Sequence, residues 1–212
     1  MKIDFVSDVA CPWCAVGINA LEQALERLGP EVHVELQFQP FELNPDMPPE
    51  GADTGEYLAR KYGASPAQLA QTQQTLRERG AEVGFTFGER PRVWNTFDAH
   101  RLLHWAGLQS AAQQRALKHA LLQAYHAEAR NPAAHEVLLD CALAAGLDVE
   151  AARGVLESGA WADEVRAAEQ HWQRLGIRSV PSVVVDGRHL IAGAQPPEVF
   201  EQALRKIAAS HE

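Results

Sequence analysis

The chain has 212 residues, 46% of them hydrophobic, enough for one large or two small domains with a core that needs no disulfide framework. Its formal charge of −9, from 19 basic against 28 acidic residues, is spread without a long run, which argues against nucleic acid or an anionic membrane as partner. The opening M-K-I-D-F-V-S-D has no apolar run of signal-peptide length and nothing later reaches membrane-spanning length, so a cytoplasmic location is expected.

Lys2 to Ser7 alternates and is rich in Ile, Phe and Val, the pattern of a short strand. Beyond Cys11 the apolar positions Ile18, Leu21, Leu25 and Leu28 recur at helical spacing. Gly29-Pro30 breaks that helix, and His33 to Phe41 resumes alternation with Val34, Leu36 and Phe38 on one face. With a helix between them, the two strands are expected to run parallel in a right-handed β-α-β unit. Asn44 to Gly55 is dense in Pro, Gly and Asp and reads as a long connection at a domain boundary. From there to about Gly159 strand signals nearly vanish, and helices are expected over 55–62, 65–83, 96–106, 111–129, 133–145 and 149–157, with breaks at Gly63, Gly107, Asn131-Pro132 and Gly146. A further helix spans Trp161 to Leu175, strand character returns from Ile177 to Ile191, and Asp186-Gly187 signals a hairpin with a type I′ turn. Gly193-Ala194-Gln195-Pro196-Pro197 opens a last helix whose apolar face is Val199, Ala203, Leu204 and Ile207. Neither β-rich end makes a sheet alone, but together they supply four strands with helices for both faces. The expected organisation is α/β: a discontinuous domain of residues 1–50 and 160–212, with residues 51–159 inserted as a helical domain.

Chemistry concentrates in S-D-V-A-C-P-W-C. Cys11 and Cys14 are three apart on one helix face, with Pro12 tolerated in the first turn, where its missing N–H would be unbonded anyway. A disulfide between them closes so short a loop that chain entropy gives it roughly 2 kcal/mol, against about 4.7 for a loop of a hundred residues, so the pair is a poor staple. A zinc site would want a second C-x-x-C or a His pair at ligand spacing, and Cys141 stands alone in an apolar run where an inert buried thiol is expected. His100 and His104 are four apart, but Arg101 stands where the Glu of H-E-x-x-H would be, so no metal is expected there. C-x-x-C beside strand and helix patterns is instead a redox signature. Cys11 lies at the helix N-terminus, where unbonded N–H groups and the macrodipole favour a thiolate, which makes it the expected nucleophile and the deeper Cys14 the resolving thiol. Asp8 either relays the proton that Cys14 must lose or satisfies loop amides, the commoner use of a loop Asp. Val180-Pro181 falls in what reads as an internal strand, from which proline is excluded. Either that bond is cis and turns the chain toward the dithiol, or the strand begins at Ser182 with Pro181 an ordinary trans residue before it. Trp94, Trp105, Trp161 and Trp172 either line a groove beside the dithiol or, the commoner use, fill core in the helical block.

C-P-W-C after a first strand, the helical insertion, and V-P-S-V-V-V-D-G before a terminal hairpin and helix resemble the DsbA family of thioredoxin-fold oxidoreductases. S-D-V-A-C-P-W-C, F-E-L-N-P, N-T-F-D-A-H-R-L and I-A-G-A-Q-P-P-E-V-F are similar to recurring segments of its cytoplasmic FrnE-type branch, and the resemblance covers nearly the whole chain. It implies a thioredoxin fold with an inserted all-helical domain, and exchange of the dithiol with protein or small-molecule thiols and disulfides, with no bound cofactor and glutathione as a possible reductant. It further implies Cys11 as nucleophile, Cys14 as resolving thiol and Pro181 as the cis proline, with Pro12, Trp13, Asp8 and Val180 in support. This chain carries Trp13 where the best-known periplasmic members have His. Two rival readings share the architecture or the surface: a kappa-type glutathione-dependent isomerase or transferase, whose members usually carry Ser in place of Cys11, and a non-catalytic, chaperone-like binding module. Glutathione carboxylates would meet the last helix at Gly193 to Gln195, where the residues themselves offer no charge, so weak binding or none is expected.

Overall fold

β1 (Lys2–Ser7) is buried from Ile3 onward because a packed layer covers each face of the sheet that it centres. In this computed structural model, which describes residues 1–29 and 32–210, the chain continues through α1 (Pro12–Leu28), β2 (Glu35–Pro40), β3 (Ala52–Asp53), α2 (Thr54–Tyr62), α3 (Pro66–Glu82) and β4 (Arg92–Val93). There follow α4 (Phe97–Gln109), α5 (Ala111–His126), α6 (His135–Ala144), α7 (Val149–Ser158), α8 (Ala162–Arg174), β5 (Ser182–Val185), β6 (His189–Ala192) and α9 (Pro197–Ala209). Gly29 ends α1 at φ 76°, while Pro30 of the expected break lies outside the described residues.

The main sheet has the order β2-β1-β5-β6. β1 pairs parallel with β2, Phe5 opposite Phe38, and antiparallel with β5, Phe5 opposite Val183. Because successive strand residues face opposite ways, Ile3, Phe5, Val183 and Val185 enter one core with Ile18 and Leu21 of α1 and Phe200 and Leu204 of α9. Val6 and Val184 point to the other face, against Phe41, Ile177 and Trp172 of α8. Each fully buried Leu or Phe in these layers contributes about 1.5–3 kcal/mol of apolar transfer. A separate core of Leu102, Leu117, Leu121, Leu138 and Leu156 holds the inserted helices together.

Several elements differ from the sequence expectation, each for a local reason. The inserted block is not wholly helical: Ala52 pairs with Val93 and Asp53 with Arg92, a ladder too short for periodicity to register. Gly51, at φ 68°, permits it, since a Cβ there would stand 2.4 Å from the Val93 carbonyl oxygen. The break expected at Gly107 is absent and α4 runs to Gln109. That glycine serves contact rather than a turn, because a Cβ would lie 2.7 Å from Nε2 of Gln114. Trp172 fills the sheet's second face instead of the helical core. The last helix begins at Pro197, and residues 193–195 form a turn closed by the Gln195 N–H on the Gly193 carbonyl at 3.0 Å. The Asp186-Gly187 hairpin turn is as expected, with φ of 50° and 65° and the Arg188 N–H donating to Val185 O.

Candidate active site

α1 begins where the chain cannot continue as strand. Cys11 is the N-cap, with φ −89° and ψ 113°, and Pro12 takes the first turn, where it forfeits no helical hydrogen bond. The Cys11 N–H donates to the Asp8 carbonyl at 3.2 Å and the Cys14 N–H to the Cys11 carbonyl at 3.1 Å, so the two thiols share one tight turn. Both are free, Cys14 fully buried and Cys11 only 4% exposed, while Trp13 lies half-buried against the same core.

Their environments separate them. The Cys14 thiol beside Cys11 holds the Cys11 pKa below its ordinary value; the amides of Cys14 and Trp13 help, outweighing burial and the Asp8 charge. Burial pushes Cys14 well up, and its role as donor to Cys11 pushes it further. The arrangement favours a Cys11 thiolate solvated by a Cys14 thiol. In the thiol form Cys11 Sγ reaches the Val180 carbonyl at 3.5 Å.

That carbonyl belongs to a cis Val180–Pro181 bond. The sequence left two descriptions open, and the structure combines them: the bond is cis, and the strand starts at Ser182. Pro181 therefore costs the sheet no ladder bond, and its own carbonyl accepts the Gly193 N–H at 2.9 Å. Gly17, one turn beyond Cys14, admits the ring: a Cβ there would lie 2.8 Å from Pro181 Cγ.

The loop before the dithiol is gripped from the insertion. Asp8 is fully buried, and its Oδ1 accepts from the Ala10 amide at 3.0 Å, Thr96 Oγ1 at 2.7 Å and His100 Nε2 at 3.3 Å, while Oδ2 accepts from the Leu43 amide at 2.7 Å. A carboxylate can only accept, so His100 carries its proton on Nε2. Burial alone would raise the Asp8 pKa, but the His100 bond and the two amides outweigh it and hold the carboxyl below its ordinary value. His126, its pKa pushed down to about 3 by burial, is a neutral ring whose Nε2 lies 2.8 Å from the Val9 carbonyl. Arg90 donates to the Ala10 carbonyl at 2.8 Å. Asp8 thus binds loop amides, the commoner of the two uses expected of it.

Sequence reasoning missed these partners. His100 and His104 do not share a metal site: His100 Nε2 is 3.3 Å from Asp8 Oδ1, while the His104 ring lies 5.3 Å from the Trp161 ring. Thr96, Arg90, Gln114, Lys118 and His126 were not singled out at all. The available signal is on α5, where Gln114, Lys118, Leu122 and His126 recur every four residues and all are buried. Gln114 clasps β2, accepting the Phe38 N–H at 3.0 Å and donating to its carbonyl at 3.1 Å. Arg79 of α3 also went unremarked; its Nη2 lies 3.5 Å from the Ala194 carbonyl, bringing a cation to a loop whose own residues have none. Cys141 sits in the helical core, where burial pushes its pKa up to about 11. Trp105 is buried in that core and Trp94 and Trp161 pack against it.

A mixed four-stranded sheet that carries a vicinal dithiol on its first helix, faced by a cis proline, defines the thioredoxin class. The DSBA-like thioredoxin domain matches residues 2–205, and the chain belongs to that family. It is similar to a probable DsbA oxidoreductase of Streptomyces coelicolor, 38% identical, with a TM-score of 0.90 over 97% of this chain and 89% of that one. The uncharacterised protein YwbO of Bacillus subtilis (strain 168) is 29% identical over 208 residues, 96% of each chain. The cytosolic disulfide reductase DsbM of Pseudomonas aeruginosa, in a structure with GSH, shares the fold at 19% identity and a TM-score of 0.68, covering 99% of this chain and 100% of its own. Among the described residues no helix is long and apolar enough to cross a membrane.

Proposed function

We propose that the chain is a thiol–disulfide oxidoreductase that exchanges its C-P-W-C pair with protein or small-molecule disulfides in the cytoplasm. The observation that carries the reading is the placement of the pair: Cys11 caps the N-terminus of α1 with its Sγ 3.5 Å from the carbonyl of Val180, which precedes the cis proline, while Cys14 lies fully buried in the first turn, an asymmetry that favours the thiolate at Cys11 and the thiol at Cys14. The Cys11 thiolate attacks one sulfur of a partner disulfide; a Cys11–partner bond forms, and the second partner sulfur leaves with the electron pair as a thiolate. Cys14 then loses its proton and attacks Cys11 Sγ, so that the Cys11–Cys14 disulfide forms and the first partner sulfur departs reduced. Reversed, the same steps oxidise a partner dithiol. Val180 and Pro181 would align the incoming disulfide over Cys11, and Pro12 and Asp8 would hold the turn that presents it.

Trp13 supplies no charge to the thiolate, so the couple should be less oxidising than a His-containing one and should be re-reduced by cellular thiols, with glutathione a candidate. The kappa-type reading loses support from Cys11 itself and from a last helix whose first position is Pro197, which has no N–H to offer a carboxylate. Insulin reduction followed by turbidity tests the proposal. Cys11→Ser should abolish it, Cys14→Ser should leave a trappable mixed disulfide, and Cys141→Ser should change little; equal loss from Cys141→Ser overturns the assignment.

A further inference from the structure

We propose that Glu42 and Glu169 share a single proton, and that the resulting carboxyl–carboxylate pair is an acid-engaged clamp that closes α8 onto the segment after β2. Glu42 belongs to the F-E-L-N-P segment, and Glu169 lies on the buried face of α8. Leu43, which follows Glu42, gives its N–H to Asp8 Oδ2 at 2.7 Å, so whatever fixes Glu42 also steadies the loop that carries the dithiol.

Three observations lead to the shared proton. The first is charge. Glu42 and Glu169 are only 6% and 5% exposed, and Arg166 stands between them, its Nη1 donating to Glu42 Oε2 and, at 2.9 Å, to Glu169 Oε2. With both acids ionised, two buried negative charges would face one guanidinium, and a single bound proton removes the imbalance. The second is geometry. Because both Oε2 atoms meet one nitrogen, the carboxylates lie no further apart than two hydrogen bonds, and the Glu169 side chain is in hydrogen-bond contact with that of Glu42. Carboxylates have acceptors and no donor, so that bond exists only when one of the pair carries a proton. The third is the remaining oxygens. Among the described residues, Glu42 Oε1 and Glu169 Oε1 are the only buried carboxylate oxygens without a partner, and one proton held between the acids supplies the missing donor.

Arg166 is itself held in place, its guanidinium 3.8 Å from the centroid of the Phe97 ring. The charged or titratable groups facing the pair are Arg166 from α8, His100 from α4 and Asp8 from the loop before α1; β2, which also packs on α8, has only Glu35, at its far end. Burial pushes both carboxyls up, with the Glu169 charge adding to it at Glu42 and the Asp8 charge at Glu169, while Arg166 pulls the other way. Folded-state values above the unfolded one of about 4.3 fix the sign: the stabilisation is fully present below that value and is lost as the pH rises through the raised one. Two bare carboxylates then repel across Arg166, and α8 loosens from Glu42.

Carbon NMR of protein isotopically labelled at the glutamate carboxyl carbon reads the proton directly. In the unmodified protein one carboxyl should keep its protonated shift after the other glutamates have titrated around the free value of about 4.3, and that late step should vanish in Glu42→Gln and in Glu169→Gln. Glutamine still offers an N–H to the remaining acid, so these variants keep the contact without the titration. In urea unfolding the folding constant of wild type should fall relative to that of Glu169→Gln by about tenfold per pH unit between the free value and the late step, then stay level. Hydrogen exchange at the Leu43 amide, corrected for its intrinsic pH dependence, should quicken through the same step in the unmodified protein and not in Glu169→Gln. Glutamates that all titrate at or below the free value, a late step that survives either substitution, or a stability ratio indifferent to pH overturns the shared proton; Leu43 exchange that ignores the step overturns the clamp. The wild-type titration needs no variant to fold. None of these readouts involves disulfide exchange, so their failure leaves the oxidoreductase reading untouched.

Discussion

Replacing Asp8 by Asn keeps the shape of the side chain but removes its charge and one acceptor. The amide oxygen can take the place of Oδ1 toward Ala10, Thr96 and His100, which leaves the NH2 group facing the Leu43 N–H, formerly 2.7 Å from Oδ2. One buried donor is then unsatisfied and opposed by another, and three charge-assisted bonds become neutral ones; the expected loss is about 2–3 kcal/mol. The effect depends on pH with a definite sign. The folded-state pKa of Asp8 lies below its unfolded value of about 3.9, so its stabilisation is fully present above that value and is lost as the pH falls through the lowered one. The gap between wild type and Asp8→Asn in urea unfolding should be full at neutral pH and should shrink below about pH 4. The same change should lower the Cys11 pKa, because the Asp8 charge opposes the thiolate. Thiolate absorbance against pH measures that directly. An Asp8→Asn protein as stable as wild type at neutral pH, or one with a raised Cys11 pKa, would refute the account of this loop.

Trp13→His should lower the Cys11 pKa and raise the reduction potential, since a protonatable ring adds positive potential beside the helix N-terminus; each 30 mV corresponds to about 1.4 kcal/mol, read by equilibration with glutathione. If both quantities stay put, Trp13 does not tune the site. Gly17→Ala places a Cβ 2.8 Å from Pro181 Cγ, and the proline loop must move to admit it. Insulin reduction should fall while iodoacetamide still alkylates Cys11, and the overpacking should cost about 1–3 kcal/mol of stability, offset by up to about 1 from improved helix propensity. Unimpaired insulin reduction would mean that the seating of Pro181 on α1 is irrelevant to exchange.

What the sequence made legible was local. The first strand, the dithiol at the mouth of α1 and the Asp-Gly turn each follow from a few neighbouring residues whose periodicity or dihedral preference has one sensible reading. The parallel pairing of β1 with β2 followed from the helix between them. The rest depended on partners far apart along the chain. Asp8 and His100 are 92 residues apart and Val9 and His126 are 117 apart, separations at which no pattern in one sequence pairs residues. Lys118 and His126 were hidden differently: helical periodicity is counted in apolar residues, and these polar side chains lie on the inward face. Gly107 misled because a glycine needed for close approach to Gln114 looks like one that ends a helix.

The grip on the loop before the dithiol also bears on how such chains can be recombined. Asp8 comes from the N-terminal strand's end, whereas Thr96, His100 and His126 come from the interposed segment, Thr96 standing 88 residues from Asp8 along the chain. In sequence the interposed helices look like a cassette that could be exchanged between relatives. Physically they are one inherited unit with Asp8 and Val9. A chimera that kept the N-terminal half and received α4 and α5 from a relative without those donors would leave a buried carboxylate short of partners in the wall of its own active site, and would tend to unfold there first.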